Sequence, residues 1–143
     1  MESTTTFVPV LSIASGVTDV GFYPQAFKAK ELWRLNNPDG SVHVAAFSIN
    51  GVLFRIHEES KNGRILSPGK AGCTTVTIGL SVEDVNAVVA DAVAAGATLM
   101  SPVTDYDYGY RQGEIKDPFG HHWLIGKLLS QEALDRFLRQ QEE

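Results

Sequence analysis

The stretch DPFGHHWLIG, residues 117–126, decides the fold, because a similar stretch, SINGVLFRIH, stands 69 positions earlier at residues 48–57. Each is a short apolar segment entered through a glycine turn, which is a typical hairpin signal. The same offset places Gly51 on Gly120 and Ile56 on Ile125. Turn and strand signals that recur in step at one spacing indicate that a whole structural unit is repeated.

The order of elements is the same in both halves and is clearest in the second. There a β-branched strand at residues 74–80 precedes a helix that starts near Ser81 and stops at Gly96, and three more strands follow. In the first half, Pro24 falls inside the corresponding helix at residues 17–27. A proline removes a helical hydrogen bond, so this helix is predicted to be short or bent.

These signals predict an α+β fold. We place a first βαβββ module at residues 7–58, a linker loop at 59–72, a second βαβββ module at 73–127 and a C-terminal helix at 128–143. The tail is assigned as a helix because its apolar side chains recur at helical spacing. A chain of 143 residues fits one compact unit, or two small halves that share a core.

Composition limits the classes of function. The formal net charge of −5 argues against nucleic acid as a partner. Cys73 is the only cysteine, which excludes an intramolecular disulfide and a thiolate metal cluster. Residues 1–6 lack the basic and apolar segments of a signal peptide, and no apolar run is long enough for a membrane span. We therefore expect a soluble cytoplasmic protein with no membrane partner.

Two consecutive βαβββ units closed by DPFGHHWLI resemble the vicinal-oxygen-chelate (VOC) superfamily, which includes glyoxalase I, extradiol dioxygenases, fosfomycin-resistance enzymes and bleomycin-binding proteins. FYPQAFKAKELWRLNNPDG at residues 22–40 and YGYRQGEIKDPFGHHW at residues 108–123 resemble its PhnB-like branch. The resemblance covers about residues 7–127, as one VOC domain. It implies a curled eight-stranded mixed sheet around a cavity (the glyoxalase/bleomycin-resistance fold) and, by analogy, a homodimer.

Metal-dependent members of the superfamily place four ligands on the first and last strands of the two units. The resemblance puts these positions at Val8, Arg55, Thr77 and Leu124. None suits a divalent ion, because valine and leucine have no donor atom, arginine is permanently charged and threonine is a poor ligand. The expectation is a protein with no metal and no cofactor at these positions.

Side chains alternate across a strand, so residues two positions from these sites share their face. Arg55 either forms a structural salt bridge, with Glu58, Glu114 or Asp117, or binds an anionic ligand. The tyrosine-rich edge, DYDYGYR at residues 105–111, suits a ligand rim and a subunit interface equally. Trp33, Phe47 and Phe54 are interpreted as core side chains. The predicted ligand-binding residues are Val8, Val10, Arg55, His57, Thr77, His122, Leu124, Tyr108, Tyr110 and Arg111.

Three functions remain open. The first is a metal-free protein that binds a small organic molecule in the cavity, as the bleomycin-binding members do. The alternative is a metal-dependent lyase, isomerase or transferase with relocated ligands, for which His57, Glu114 and His122 are the candidates. The third is a structural or regulatory dimer with a vestigial pocket. Whether the protein is an enzyme is left open.

Overall fold

The computed structural model describes residues 4–142. Residues 1–3, part of the segment in which no signal peptide is expected, and Glu143, the last residue of the predicted tail helix, lie outside the described residues. The fold is mixed α+β, as predicted, and its strands form two four-stranded mixed sheets. The chain divides into two compact units, the first ending at Thr74 and the second beginning at Thr75.

The first unit contains one sheet and two short helices. Its elements are β1 (Val10–Ile13), α1 (Phe22–Phe27), β2 (Lys30–Asn36), β3 (Val42–Ile49), β4 (Val52–Glu58) and α2 (Pro68–Ala71). The strand order is β1-β4-β3-β2, with β1 parallel to β4 and the other pairs antiparallel. The helix α2 falls inside the segment that was expected to be a loop, where the side chain of Ser67 accepts a hydrogen bond from the backbone N–H of Lys70.

The second unit repeats this arrangement and adds the tail helix. Its elements are β5 (Thr77–Ser81), α3 (Val85–Ala94), β6 (Thr98–Asp105), β7 (Tyr110–Lys116), β8 (His122–Leu128) and α4 (Gln131–Gln141). The strand order is β5-β8-β7-β6, and again only the first of the three strand pairs, β5 with β8, is parallel. In the described part of the chain, no helix is both long and apolar enough to cross a bilayer.

Strand register reproduces the spacing of 69 positions. Val10 pairs with Arg55 in the first sheet, and Gly79 pairs with Leu124 in the second. The strands β3 and β7 depart from it by one position, because Ala46 pairs with Arg55 whereas Glu114, not Ile115, pairs with Leu124. The connection from β7 to β8 is thus one residue longer than the connection from β3 to β4. The two units share their topology exactly and their residue spacing approximately.

The core of the first unit is an aromatic cluster between α1 and the sheet. Tyr23 is fully buried and packs edge-on against Phe54, with ring centroids 5.1 Å apart, and against Phe47 at 5.5 Å. Pairs of this kind add about 0.5–1.5 kcal/mol beyond the burial of their area. The helix has only six residues, as the proline predicted, and ends where Lys28 adopts a left-handed conformation.

The core of the second unit surrounds Trp123. This side chain and those of Ile115 and Ile125 are buried on the sheet face that α3 covers with Val89. The indole Nε1 donates a hydrogen bond to the carboxylate of Asp117, 2.9 Å away. Asp117 also accepts from the backbone N–H groups of the turn that follows it, so one buried carboxylate joins the turn to the core.

Candidate functional site

The strands of each sheet alternate between a face covered by the unit's helix and a face that we call the open face. On β4, Phe54 and Ile56 are buried under α1, whereas Arg55 and its neighbours at two-residue spacing point the other way. On β8, Trp123 and Ile125 face the helix and Leu124 does not. The first open face therefore carries Arg55, and the second carries Leu124.

The first open face has one cation in an apolar row. Strand register aligns Trp33, Ala46, Arg55 and Val10 across the four strands of the sheet. The Trp33 side chain is 45% exposed and Val10 is 52% exposed, so accessible apolar surface lies on both sides of Arg55 in this row, next to it at Val10 and beyond Ala46 at Trp33. Trp33 was interpreted as a core residue, and the structure shows that this was wrong, because β2 lies at the edge of the sheet.

In the part of the chain that the structure describes, Arg55 has no carboxylate partner. Its backbone N–H donates to the carbonyl of Pro9, but among residues 4–142 no side chain hydrogen-bonds or ion-pairs with its guanidinium. Of the partners that the sequence suggested, Glu58 binds His43 and Asn37, and Asp117 holds its own turn. Within the described residues of the first unit, Arg55 forms no salt bridge with Glu58, and the guanidinium keeps its donors available.

Two histidines and a glutamate form a hydrogen-bonded cluster at the end of the first open face. His57 Nδ1 lies 2.6 Å from the carbonyl oxygen of Glu58, and His43 Nδ1 lies 2.8 Å from the Glu58 carboxylate. The two imidazole rings meet edge to face, with centroids 4.7 Å apart. The hydrogen bond from His43 holds the pKa of Glu58 below its ordinary value of 4.5, and a bond from Asn37 adds to this although burial opposes it.

The second open face has Leu124 at the position of Arg55 and polar side chains beside it. Thr77 lies beside His122 and Gly79 lies beside Leu124, so Thr77, His122 and Leu124 share this face as predicted from alternation. The carboxylate of Glu114, on the neighbouring strand, lies 3.6 Å from His122 Nδ1. The ionisable side chains named on this face, Glu114 and His122, therefore lie close to each other.

The tyrosine-rich edge packs within its own unit. The Tyr108 hydroxyl donates to Gln112 Oε1 at 2.6 Å, and its ring stacks on Tyr106 and meets Phe137 of α4 edge-on. Burial raises the pKa of the Tyr108 hydroxyl above its ordinary value. Tyr110 begins β7 opposite Leu128. Tyr108 thus fixes the C-terminal helix to the sheet.

Arg111 lies on the helix-covered face of β7, with Gly113 and Ile115, and not on the open face. Its Nε donates to Asp105 Oδ1 at 2.7 Å and its terminal nitrogen to Oδ2 at 3.1 Å. This paired contact lowers the pKa of Asp105 and raises that of Arg111. The two arginines that were predicted as ligand-binding residues therefore differ, because Arg111 is paired and Arg55 is not.

The ten predicted site residues fall into three groups. Val10, Arg55 and His57 share the first open face, with Val8 just before β1, and Thr77, His122 and Leu124 share the second. The tyrosine-rich edge supplies the third group, which comprises Tyr108, Tyr110 and Arg111. Sequence reasoning did not find Trp33 or the pairing of His43 with Glu58. Only strand register could reveal them, because both depend on which residues face each other across β2, β3 and β4.

The donor chemistry of the positions that the resemblance assigns to metal ligands does not fit a divalent ion. Val8 and Leu124 offer no donor, and Arg55 brings a positive charge. Within residues 4–142 no group of three histidine, cysteine, aspartate or glutamate side chains is placed to hold an ion. The alternative set combines His57 of the first unit with Glu114 and His122 of the second.

Comparison with known proteins places this geometry in a family. The Glyoxalase/Bleomycin resistance protein/Dioxygenase superfamily matches residues 19–125. An uncharacterized protein of Mycobacterium tuberculosis is 37% identical over 130 residues, which cover 89% of this chain and 76% of that protein. The chain therefore belongs to the Glyoxalase/Bleomycin resistance protein/Dioxygenase superfamily.

Solved structures have the same fold. An Arabidopsis thaliana gene product is 29% identical, with a TM-score of 0.65, and the match covers 86% of this chain and 98% of that one. A genomically encoded fosfomycin resistance protein of Listeria monocytogenes is 16% identical, with a TM-score of 0.66, covering 94% of this chain and 99% of that one. At 16% identity the likeness concerns the fold alone.

Proposed function

We propose that the protein binds a small organic molecule with an anionic group on its first open face, and that Arg55 receives this group. The observation that carries the proposal is an arginine without a carboxylate partner in a row of accessible apolar side chains. A guanidinium presents a planar set of donors that matches a carboxylate or phosphonate in a paired geometry. An anion there would meet this cation and rest beside Trp33.

The flanking side chains favour an organic ligand over a simple ion. Trp33 on one side and Val10 on the other offer apolar surface that a hydrocarbon or aromatic group can cover. Covering such surface contributes about 25 cal/mol per Å² removed from water. A molecule with an acid at one end and an apolar body at the other fits both features, whereas phosphate or chloride fits only the first.

In this proposal the ligand binds without a metal. Superfamily members that use a metal need donor side chains at four positions, and the counterparts proposed in this chain are Val8, Arg55, Thr77 and Leu124. Arg55 would repel a divalent cation and attract an anion, so the same side chain supports both parts of the proposal. The PhnB-like branch, a homodimer and a cytoplasmic location remain proposals beside it.

A thermal-shift screen of chelator-treated protein tests this function. Each acid is paired with its neutral amide, for example phenylacetate with phenylacetamide, so that the two probes differ mainly in charge. A ligand that binds only the folded state raises the melting temperature in proportion to its occupancy. The acid is expected to raise it and the amide is not.

Two arginine variants locate the effect. Arg55→Met is expected to abolish the shift, whereas Arg111→Met, which removes an arginine already paired with Asp105, is expected to retain it. Equal shifts from acid and amide, or an acid shift that survives in Arg55→Met, would contradict the proposal. No shift from a broad panel of acids would favour a vestigial site.

A further inference from the structure

The polar cluster beside Arg55 defines a second requirement for the ligand. His57 lies two residues from Arg55 on the same strand and the same face. Two residues of a strand correspond to about 7 Å. The ring of His43 lies against that of His57, and the His43 side chain is 44% exposed. His57, with the His43 ring against it, therefore lies about 7 Å along the strand from Arg55, measured between their backbone positions.

Hydrogen bonding fixes which nitrogen of each ring carries a proton. The carbonyl oxygen of Glu58 can only accept, so His57 Nδ1 must be the donor at 2.6 Å. The ionised carboxylate of Glu58 likewise only accepts, so His43 Nδ1 donates to it at 2.8 Å. In the neutral rings both Nε2 atoms are then unprotonated acceptors.

The carboxylate that orients His43 is itself held in place. Asn37 Nδ2 lies 3.2 and 3.1 Å from the two carboxylate oxygens of Glu58, and the same amide donates to the Ser41 hydroxyl. Glu58 is therefore a positioning residue for His43. In the described residues, no group hydrogen-bonds to Nε2 of either histidine, so both acceptors are available to a ligand.

We infer that the ligand carries, besides its anionic group, a hydroxyl or amino donor that Nε2 of His57 accepts, with Nε2 of the adjacent His43 as a second acceptor for a donor that has two protons. This inference rests on the proposed function. It narrows the substrate class to acids with a hydrogen-bond donor about one ring length from the acid, such as para-hydroxylated aromatic acids. The apolar part of the ligand then spans the distance between the guanidinium and the imidazoles.

Calorimetric titration with two matched acids tests the inference. The probes are 4-hydroxyphenylacetate and phenylacetate, which share the acid and the ring and differ in one hydroxyl. The hydroxylated acid is expected to bind wild-type protein about tenfold more tightly, equivalent to about 1.4 kcal/mol. In His57→Leu the two affinities should become equal, and in Glu58→Ala, which removes the acceptor of His43 Nδ1, the difference should shrink.

The outcomes separate this inference from the proposed function. Two acids that bind equally well to wild type, both weakened by Arg55→Met, would overturn the inference and leave the proposed function in place. Acids that do not bind, or whose binding ignores Arg55→Met, would overturn both. A second measurement needs no ligand, because nitrogen-15 NMR of the neutral imidazoles reports their tautomers. Protons on Nδ1 of both rings are expected, and a proton on Nε2 of either ring would also overturn the inference.

Discussion

The two units have the same sheet topology and nearly the same register, yet their open faces differ chemically. The first carries Arg55 between Trp33 and Val10, with no ion-pair partner described for it. The second carries Leu124 at the equivalent position, with Glu114 and His122 in contact nearby. The two units therefore have similar residues on the helix-covered face and in the turns, whereas their open-face residues differ.

This difference shows which residues the fold constrains. Buried side chains such as Phe54 and its counterpart Trp123 keep their aromatic character, because each fills the space under a helix. Open-face side chains are not required for packing within their unit, so their charge and polarity can change without loss of the fold. Belonging to the superfamily predicts the backbone, and the open face has to be judged residue by residue.

The largest difference in stability loss between the two units is expected for substitutions in the turn that precedes the last strand of each sheet. Asp117→Ala removes a carboxylate that is 3% exposed and leaves the buried indole N–H of Trp123 without this acceptor. Each buried donor left unsatisfied costs about 1–3 kcal/mol, so we expect a loss of about 3 kcal/mol or more in urea denaturation. Ser48→Ala, the matched change in the first unit, removes one exposed bond to Gly51 and should cost about 1 kcal/mol or less. Equal losses would contradict the assigned role of Asp117.

The next largest difference in stability loss is expected for alanine substitutions of two glycines at equivalent turns. Gly40 and Gly109 have φ of +87° and +95°, so alanine at either position strains the backbone by about 1–2 kcal/mol. A Cβ at Gly109 would also stand 2.4 Å from the carbonyl oxygen of Ser130, whereas one at Gly40 meets nothing. Gly109→Ala should therefore cost about 1–3 kcal/mol more than Gly40→Ala, since overpacking adds to the strain. Chemical denaturation of both variants measures the difference, and a smaller loss for Gly109→Ala would refute the close packing of α4.

A smaller difference between the units is expected in how the unfolding free energy depends on pH in the acid range. The folded-state pKa of Glu58 is lowered below 4.5, chiefly by the hydrogen bond from His43, so Glu58 contributes stability above its unfolded pKa. That contribution is lost as pH falls through the lowered folded-state value. Glu58→Gln should flatten the dependence of the unfolding free energy on pH below about 4.5. In the second unit, Asp105→Asn should flatten it less, because the Asp105 side chain is 57% exposed and solvent screens its pair with Arg111. An unchanged slope in Glu58→Gln would show that the cluster is not formed.

The smallest effect distinguishes the two arginines by stability. Arg111→Met breaks a paired contact with exposed Asp105 and should lower the unfolding free energy only slightly, because solvent screens the pair. Arg55→Met removes a charge that has no side-chain partner among residues 4–142 and should change the unfolding free energy by less than about 0.5 kcal/mol. Denaturation of both variants under one set of conditions provides the comparison. A larger loss for Arg55→Met would indicate a structural role and weaken the case for a ligand.

Much of the fold could be predicted from the sequence, because its signals are local. Turn glycines such as Gly51 and Gly120 adopt positive φ, and strand alternation placed Phe54 under a helix and Arg55 away from it. Pro24 gave the short α1 for a local reason as well. Local rules failed for Trp33, because an aromatic residue on a strand is usually buried, and only the strand order shows that β2 is an edge.

The site was less predictable, because its properties depend on partners far apart in sequence. The sequence around Arg55 does not indicate that the carboxylate of Glu58, three residues away, forms hydrogen bonds with Asn37 and His43. The two histidines meet only because β3 and β4 pair, and His43 lies next to an irregularity in the pairing of β2 with β3. Such contacts come from register and bulges, which the sequence pattern does not specify.

The central claim is that an anion binds at Arg55 without a metal. The most direct test is calorimetric titration of phenylacetate into chelator-treated protein, into the same protein resupplied with zinc or manganese, and into Arg55→Met. We expect the same affinity with and without metal, and a loss of about tenfold or more in Arg55→Met, equivalent to about 1.4 kcal/mol. Binding that requires the added metal, or that is unchanged in Arg55→Met, would contradict it.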